Sequence, residues 1–305
     1  MKRPGKLAIS IAFVVLCLIW GSTWSVIQIG LEGIPPFSGV ALRFAIAAAV
    51  LLALTFLMRL RIGVSRRERV LWIVNGLLSF AVSYGVVYWS EQWVPSGLAA
   101  VLFATYPLFV AIVAHFLLPS ESLTRPEAWG ILAGFLGVGV IFSEDFSALG
   151  GEGVALAAAV MLLSPSAAAV ASVVVKRWGY GLHPFSLTAV PMAIGAGAAG
   201  LIALLTERGR SFEWTTQSVG ALLYLALAGS AVTFTLYYWL LAHMPAKRLA
   251  LIAYIIPVEA VLIGALRDEP ITARVIAGAV LVMAGVALAV HRGGTGAETV
   301  VEETP

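Results

Sequence analysis

Charged side chains are scarce in this chain: Asp, Glu, Lys and Arg make up 11% of 305 residues, against 60% hydrophobic. A soluble domain averages about 25% charged residues, and a globule of this length could not cover its surface with so few. Lipid is the solvent that fits. Cysteine is almost missing too. The single thiol, Cys17, sits inside the first apolar run, which excludes a disulfide framework and any cysteine-based metal site. Aspartate occurs only as Asp145 and Asp268, both between apolar runs, and His115, His183, His243 and His291 are scattered among loops and helix ends. No His-Glu-x-x-His, Gly-x-Ser-x-Gly or Gly-x-x-x-x-Gly-Lys-Ser/Thr pattern occurs, so hydrolysis inside the membrane and ATP hydrolysis have no visible machinery. A repeated filter or a ring of like charges, the marks of a channel, is likewise missing. No cofactor or metal is expected, and a net charge of +3 is too small to point to nucleic acid.

What the chain has is length of apolar sequence. Ten runs, at 7–29, 37–58, 70–92, 96–118, 126–143, 152–175, 185–206, 218–242, 246–266 and 273–291, each approach the ~20 apolar residues a spanning helix needs. They are Ala/Leu/Val-rich and lack period-two alternation, so helix is expected over strand. The joins are short and carry turn residues, as in Gly33-Ile34-Pro35-Pro36 and Val94-Pro95-Ser96-Gly97. Lys2, Arg3 and Lys6 precede the first run in the manner of a signal peptide. The residues that follow make a poor cleavage site, and the run reads as a retained helix. Residues 293–305 are polar and acidic and read as a disordered cytoplasmic tail. Placing the N-terminus inside puts 14 Lys and Arg on one side and 4 on the other, with Arg43 left within a helix. Both termini are therefore expected in the cytoplasm of a plasma-membrane protein.

The two halves resemble each other. Tyr88-Trp89, Pro95 and Pro107 recur 150 residues later as Tyr238-Trp239, Pro245 and Pro257. Pro36-Phe37-Ser38, Glu121, Gly130 and Gly137 recur at a shift of 148 as Pro184-Phe185-Ser186, Glu269, Gly278 and Gly285. Each copy, 1–147 and 148–292, then holds five helices. Five is odd, so the second copy enters the bilayer from the opposite side, giving the inverted pair common among secondary transporters. The expected fold is all-α and polytopic, with ten transmembrane helices in two inverted repeats.

Several residues are candidates for a substrate cavity. Trp20 and Trp24 stack on the first helix, Tyr84 and Tyr88 share a face of the third with Glu91, and Tyr106 lies in the fourth. Thr233 and Tyr237 share a face of the eighth with Ser230, and Tyr254 lies in the ninth. Such a set suits an amphipathic organic solute; an interfacial aromatic belt is the alternative. Pro107 and Pro257 sit in equivalent helices and free the carbonyls four residues back, either as packing kinks or as flexing, cavity-facing bends. Glu259 lies about 20 Å into the ninth helix at 1.5 Å per residue. An ionisable group at that depth is a functional candidate, here for proton coupling or a substrate ammonium; a protonated Glu bonded to a neighbouring helix is the alternative. Arg43, about 9 Å from a helix end, is expected to snorkel, pack or pair rather than to bind substrate. Glu121 and Glu269, followed by Thr124 and Thr272, read as structural loop and cap determinants at the next helix start.

The chain resembles the ten-helix EamA-type branch of the drug/metabolite transporter superfamily. The resemblance rests on Trp20-Gly21-Ser22-Thr23-Trp24, Ala41-Leu42-Arg43-Phe44, Tyr106-Pro107-Leu108-Phe109-Val110-Ala111 through Glu121-Ser122-Leu123-Thr124, and, in the second copy, Ile256-Pro257-Val258-Glu259 through Glu269-Pro270-Ile271-Thr272. The sequence departs from the family pattern where Ser164-Pro165-Ser166 replaces the Trp-Gly-Ser element, and where Pro119-Ser120-Glu121 and Arg267-Asp268-Glu269 replace Leu-Gly-Glu. The resemblance implies a carrier, with Ser22 and Ser164 near its central cavity. It would export, or less often import, amino acids, other metabolites or drugs. The expected partners are membrane lipid, a small-molecule substrate and a proton gradient, with monomer and homodimer both open. A membrane enzyme or a channel is the competing class.

Overall fold

The computed structural model describes residues 5–60, 62, 63, 65–118, 123–144, 151, 153–179, 182, 185–243 and 252–292. Within these, the side chains of 238, 241–243, 253, 254 and 289–292 lie outside the described residues. The tail after 292, Glu121, Lys247 and Arg248 lie outside the described residues.

The described residues form ten helices. In chain order they are α1 (Lys6–Leu31), α2 (Pro36–Leu57), α3 (Arg66–Ser90), α4 (Ser96–Leu117), α5 (Arg125–Phe142), α6 (Val154–Trp178), α7 (Ala189–Thr206), α8, α9 (Ile252–Leu266) and α10 (Ala273–Arg292). Helix α8 joins Thr216–Ala226, a wider π-turn at Leu227–Val232, and Thr233–His243. Among the described residues, eight helices are long and apolar enough to cross a membrane, and the apolar parts of α9 and α10 are shorter. Large apolar side chains such as Phe56, Leu132, Leu136, Leu205 and Val280 stand exposed on the outside of the bundle. Lipid, not water, accommodates that surface.

The starts obey local chemistry. Ser65 and Glu68 close a capping box on α3, and Thr124 and Glu127 close one on α5. Pro36 opens α2 at the one place in a helix where its missing N–H costs nothing. The interior is a single main cluster in which Phe44, Leu51, Phe80, Met161 and Met192 are fully covered.

The halves pack as an inverted pair. Helix α2 lies along α7 and α5 along α10, so equivalent helices meet; α1 packs on α9 as α6 packs on α4. The α5–α10 seam is made by glycine. A Cβ on Gly137 would sit 2.7 Å from the Gly278 carbonyl oxygen, and one on Gly278 the same distance from that of Gly137. Only hydrogen fits there, so the backbones touch directly. Helices α3 and α8 each contain a π-turn, Gly76–Ser83 and Leu227–Val232. At a shift of 150 the second falls inside the first. No glycine or proline pattern announces either, and both came from the structure alone.

Helix α4 does not run through as one piece. It ends at Phe103, turns through Ala104 and Thr105, and resumes at Tyr106. Pro107 is the second residue of the resumed helix, where its ring meets no preceding helical carbonyl. Pro257, its counterpart, lies inside α9.

Candidate functional site

Aromatic side chains from both repeats form a continuous chain through the bundle. Trp20 of α1 meets Phe234 and Tyr237 of α8 at ring-centre distances of 5.7 and 5.6 Å. Phe234 meets Phe80 of α3 at 5.5 Å, and Tyr84 and Phe44 continue the chain at 4.8–5.0 Å spacings about Phe44. A second run on α1 and α4 joins Trp24 to Phe103 at 5.4 Å and Phe103 to Tyr106 at 5.9 Å. The Tyr106 hydroxyl donates to Ser172 of α6 at 2.7 Å. The Trp20 indole N–H is buried without an acceptor among the described residues, which leaves one donor available beside these rings. Glu259 is half-buried on the α9 face that packs against Gly21, where a Cβ would run into its carboxyl group. The glycine beside Trp20 thus makes room for the carboxylate.

The other expected cavity residues are spread around this chain. Ser22 hydrogen-bonds Tyr224 of α8 at 2.7 Å, beside a groove of about 470 Å³ lined by Val26, Ile29, Gln217, Tyr224 and Arg267. Ser164 pairs with Ser83 at 2.9 Å between α6 and the α3 π-turn, fully buried. Thr233 is buried, and its hydroxyl donates to the Ser230 carbonyl of its own helix. The side chain of Tyr254 lies outside the described residues. Trp20, Tyr84 and Tyr237 therefore come together on one chain of rings. Trp24 and Tyr106 line another, and Ser22, Ser164 and Thr233 are engaged in packing bonds.

Arg43 does not snorkel. It is 1% exposed and buried between α2, α3 and the α8 π-turn. Its Nε donates to Ser230 Oγ at 2.9 Å, one terminal nitrogen donates to the Gly229 carbonyl at 3.1 Å, and the other reaches the Tyr88 hydroxyl at 3.4 Å. The guanidinium also lies 4.8 Å from the Tyr84 ring centre. Among the described residues it forms no ion pair. The π-turn explains the geometry: the widened backbone turns the Gly229 carbonyl and the Ser230 hydroxyl toward α2. Sequence reasoning missed this site because its partners lie about 186 residues apart.

Carboxylates join the repeats at their ends. Glu207, at the end of α7, accepts from the Phe37 and Ser38 amides at 2.8 and 2.9 Å and from Ser38 Oγ at 2.6 Å. It thereby neutralises the N-terminus of α2. The repeated motif around Ser186 meets Glu68 at 3.3 Å at the other end of the bundle. Glu269 does not cap α10, the next helix. Its oxygens accept from Ser96 Oγ at 2.6 Å and the Gly97 amide at 3.2 Å, at the start of α4 in the other repeat. Asp268, in the left-handed region at φ 58°, turns the chain so that Arg267 and Glu269 point to different helices. Arg267 donates to the Ser25 carbonyl at 2.8 Å and faces Glu32 at 3.9 Å. Ser25 in turn bonds Ser96 at 3.0 Å, and Gln28 donates to the Val94 carbonyl at 3.0 Å. Helices α1 and α4 and the α9–α10 turn are thus tied at one end.

Among the described residues no three His, Cys, Asp or Glu side chains gather to hold a metal. Comparison with known proteins gives a consistent picture. A model of the EamA-like transporter family matches twice, over residues 7–143 and 155–291. The chain is similar to an uncharacterised transporter, YoaV, of Bacillus subtilis, at 29% identity over 91% of this chain and 95% of the relative. It is 32% identical to an uncharacterised inner membrane transporter, YedA, of Escherichia coli, over 83% of this chain and 80% of the relative. A chain of known crystal structure superposes with a TM-score of 0.65 at 19% identity, covering 92% of this chain and 97% of its own.

Proposed function

Because the chain belongs to the EamA-like transporter family, we propose that it is a secondary carrier of small amphipathic metabolites, an exporter of amino acids or drugs, working by rocking two inverted halves. The observation that carries this reading is the pairing of the ring chain with two polar groups from opposite repeats. Trp20 of α1 holds an unanswered N–H, and Glu259 of α9 presents a carboxyl group against the adjacent Gly21. A solute with an apolar body, an acceptor and an ammonium group matches rings, donor and carboxylate. The same carboxyl group accepts a proton when no ammonium is present, which would couple transport to a proton gradient. The inverted pair supplies the motion, since exchanging the conformations of two related halves exchanges the two open states. In the inner membrane, with both termini in the cytoplasm, the Glu269 end faces outward and the Glu68 end faces inward.

Purified protein in liposomes, preloaded with an unlabelled amino acid or drug, should show saturable counterflow of the labelled compound for at least one member of a panel. Uptake linear in concentration would replace the carrier with a channel, and chemical conversion of the solute would replace it with an enzyme. Glu259→Gln should abolish the response to an imposed proton gradient or the preference for cationic solutes. Retention of both would remove Glu259 from the site.

A further inference from the structure

Glu91 belongs to none of the contacts described so far. It follows the last turn of α3 at the Glu269 end, is 4% exposed, and neither carboxyl oxygen has a hydrogen-bond partner among the described residues. An ionised carboxylate buried without donors is costly; a carboxylic acid at the same place is much less so. Tyr88, three residues earlier on the same face, reaches Arg43, the buried cation that forms no ion pair among the described residues. Two charges act on Glu91 through space: that of Glu269 in the α9–α10 turn disfavours its ionised form, and that of Arg43 on α2 favours it. Tyr84 and Tyr88 precede it on its own helix, and the start of α6, which packs against this part of α3, contributes the apolar Val154, Ala157 and Ala158.

Arg43 and Glu91 are both in the first repeat, yet Arg43 gives its best bonds to Ser230 and Gly229 of the second. Those bonds join the two repeats, whereas Arg43 and Glu91 both belong to the first. We propose that Glu91 is a proton-binding site of this carrier, occupied while the Glu269 end is closed and emptied when Arg43 leaves the α8 π-turn to pair with the ionised carboxylate. In the transition the proton leaves Glu91 for water, and the carboxylate gains the guanidinium in its place. The neighbouring Glu269 reinforces the order of events. Glu269 already holds its carboxyl group on the α4 N-terminus, and a second carboxylate charge in the same region is disfavoured until Arg43 arrives. The proposal rests on the alternating-access reading above and is independent of Glu259, which lies on α9.

The test uses the full chain in lipid nanodiscs without substrate. Infrared difference spectra between acidic and alkaline buffer should show a carboxylic-acid carbonyl band that disappears as pH rises. That band should be lost in Glu91→Gln and kept in Glu259→Gln. As a second readout, a cysteine at Val94, a fully buried position at this end, is placed in a Cys17→Ser background and challenged with a membrane-impermeant maleimide. Its labelling rate should climb with pH by about tenfold more than that of the same cysteine in the Glu91→Gln background, which stays closed. A band unaffected by Glu91→Gln, a Glu91 band that persists at every pH, or equal labelling in the two backgrounds would each overturn the proposal. Counterflow measured in parallel keeps the outcomes apart. A titrating Glu91 in a protein with no counterflow would sink the carrier and not the proton site.

Discussion

Arg43 is the residue whose surroundings most constrain the molecule. A buried guanidinium without a carboxylate survives because hydroxyls, a carbonyl and a tyrosine ring share its charge. Ser230→Ala removes the acceptor of Nε and leaves that donor buried and unanswered. The expected loss is about 1–3 kcal/mol, read as a lowered melting temperature in detergent and absent in Ser230→Thr if the hydroxyl is retained in place. Glu207→Ala should cost a similar amount, since it strips two amides and a hydroxyl at the start of α2; Glu207→Gln, which restores one acceptor, should recover part of it. Neither role was visible in the sequence. Local rules assign a carboxylate followed by threonine to the next helix, so Glu269 was expected at α10. The actual partner, Ser96, is 173 residues away, and spacing rules reach no further than a few turns.

Helices were far more legible than their irregularities. The bilayer demands long apolar runs with every backbone group satisfied, and that demand is written directly into composition. All ten runs are helical, with ends within a few residues of expectation except where the chain lies outside the described residues, as before α9. The π-turns in α3 and α8 were hidden, because a widened turn needs only one extra residue and no special side chain. The interruption of α4 lies where a proline at 107 frees the carbonyl four residues back: the helix ends at Phe103, turns through Ala104 and Thr105, and restarts at Tyr106. The glycine seam was readable in the recurrence of Gly130 and Gly137 as Gly278 and Gly285. Gly285→Leu should separate these helices, because a Cβ there would already meet the Gly134 backbone. The expected readout is poor recovery of monodisperse protein. Gly197→Ala, which meets nothing within 4 Å, should leave recovery unchanged.

At the level of the whole molecule, the inverted arrangement makes a topological statement. Reporter fusions or impermeant labelling should place residues 143–153 outside and the chain end inside. Finding both on one side would break the inverted repeat and, with it, the rocking mechanism. The architecture was accessible early because shifts of 148 and 150 aligned Trp, Pro and Glu in one order, which apolar filler does not do by chance. The ligand was not accessible, because its recognition depends on which rings and polar groups converge. Two aromatic runs emerged where the sequence offered one undivided list.

The touching backbones of α5 and α10 carry an evolutionary consequence. Each half closes with one of these helices, and the carbonyl of Gly137 fills the space a side chain on Gly278 would need, as Gly278 does for Gly137. Neither position can enlarge unless the opposite strand of the ancestry gives way in the same generation. Divergence between the duplicated segments is therefore expected to run freely along the rings and polar ends that greet the solute, and to stall at this shared suture.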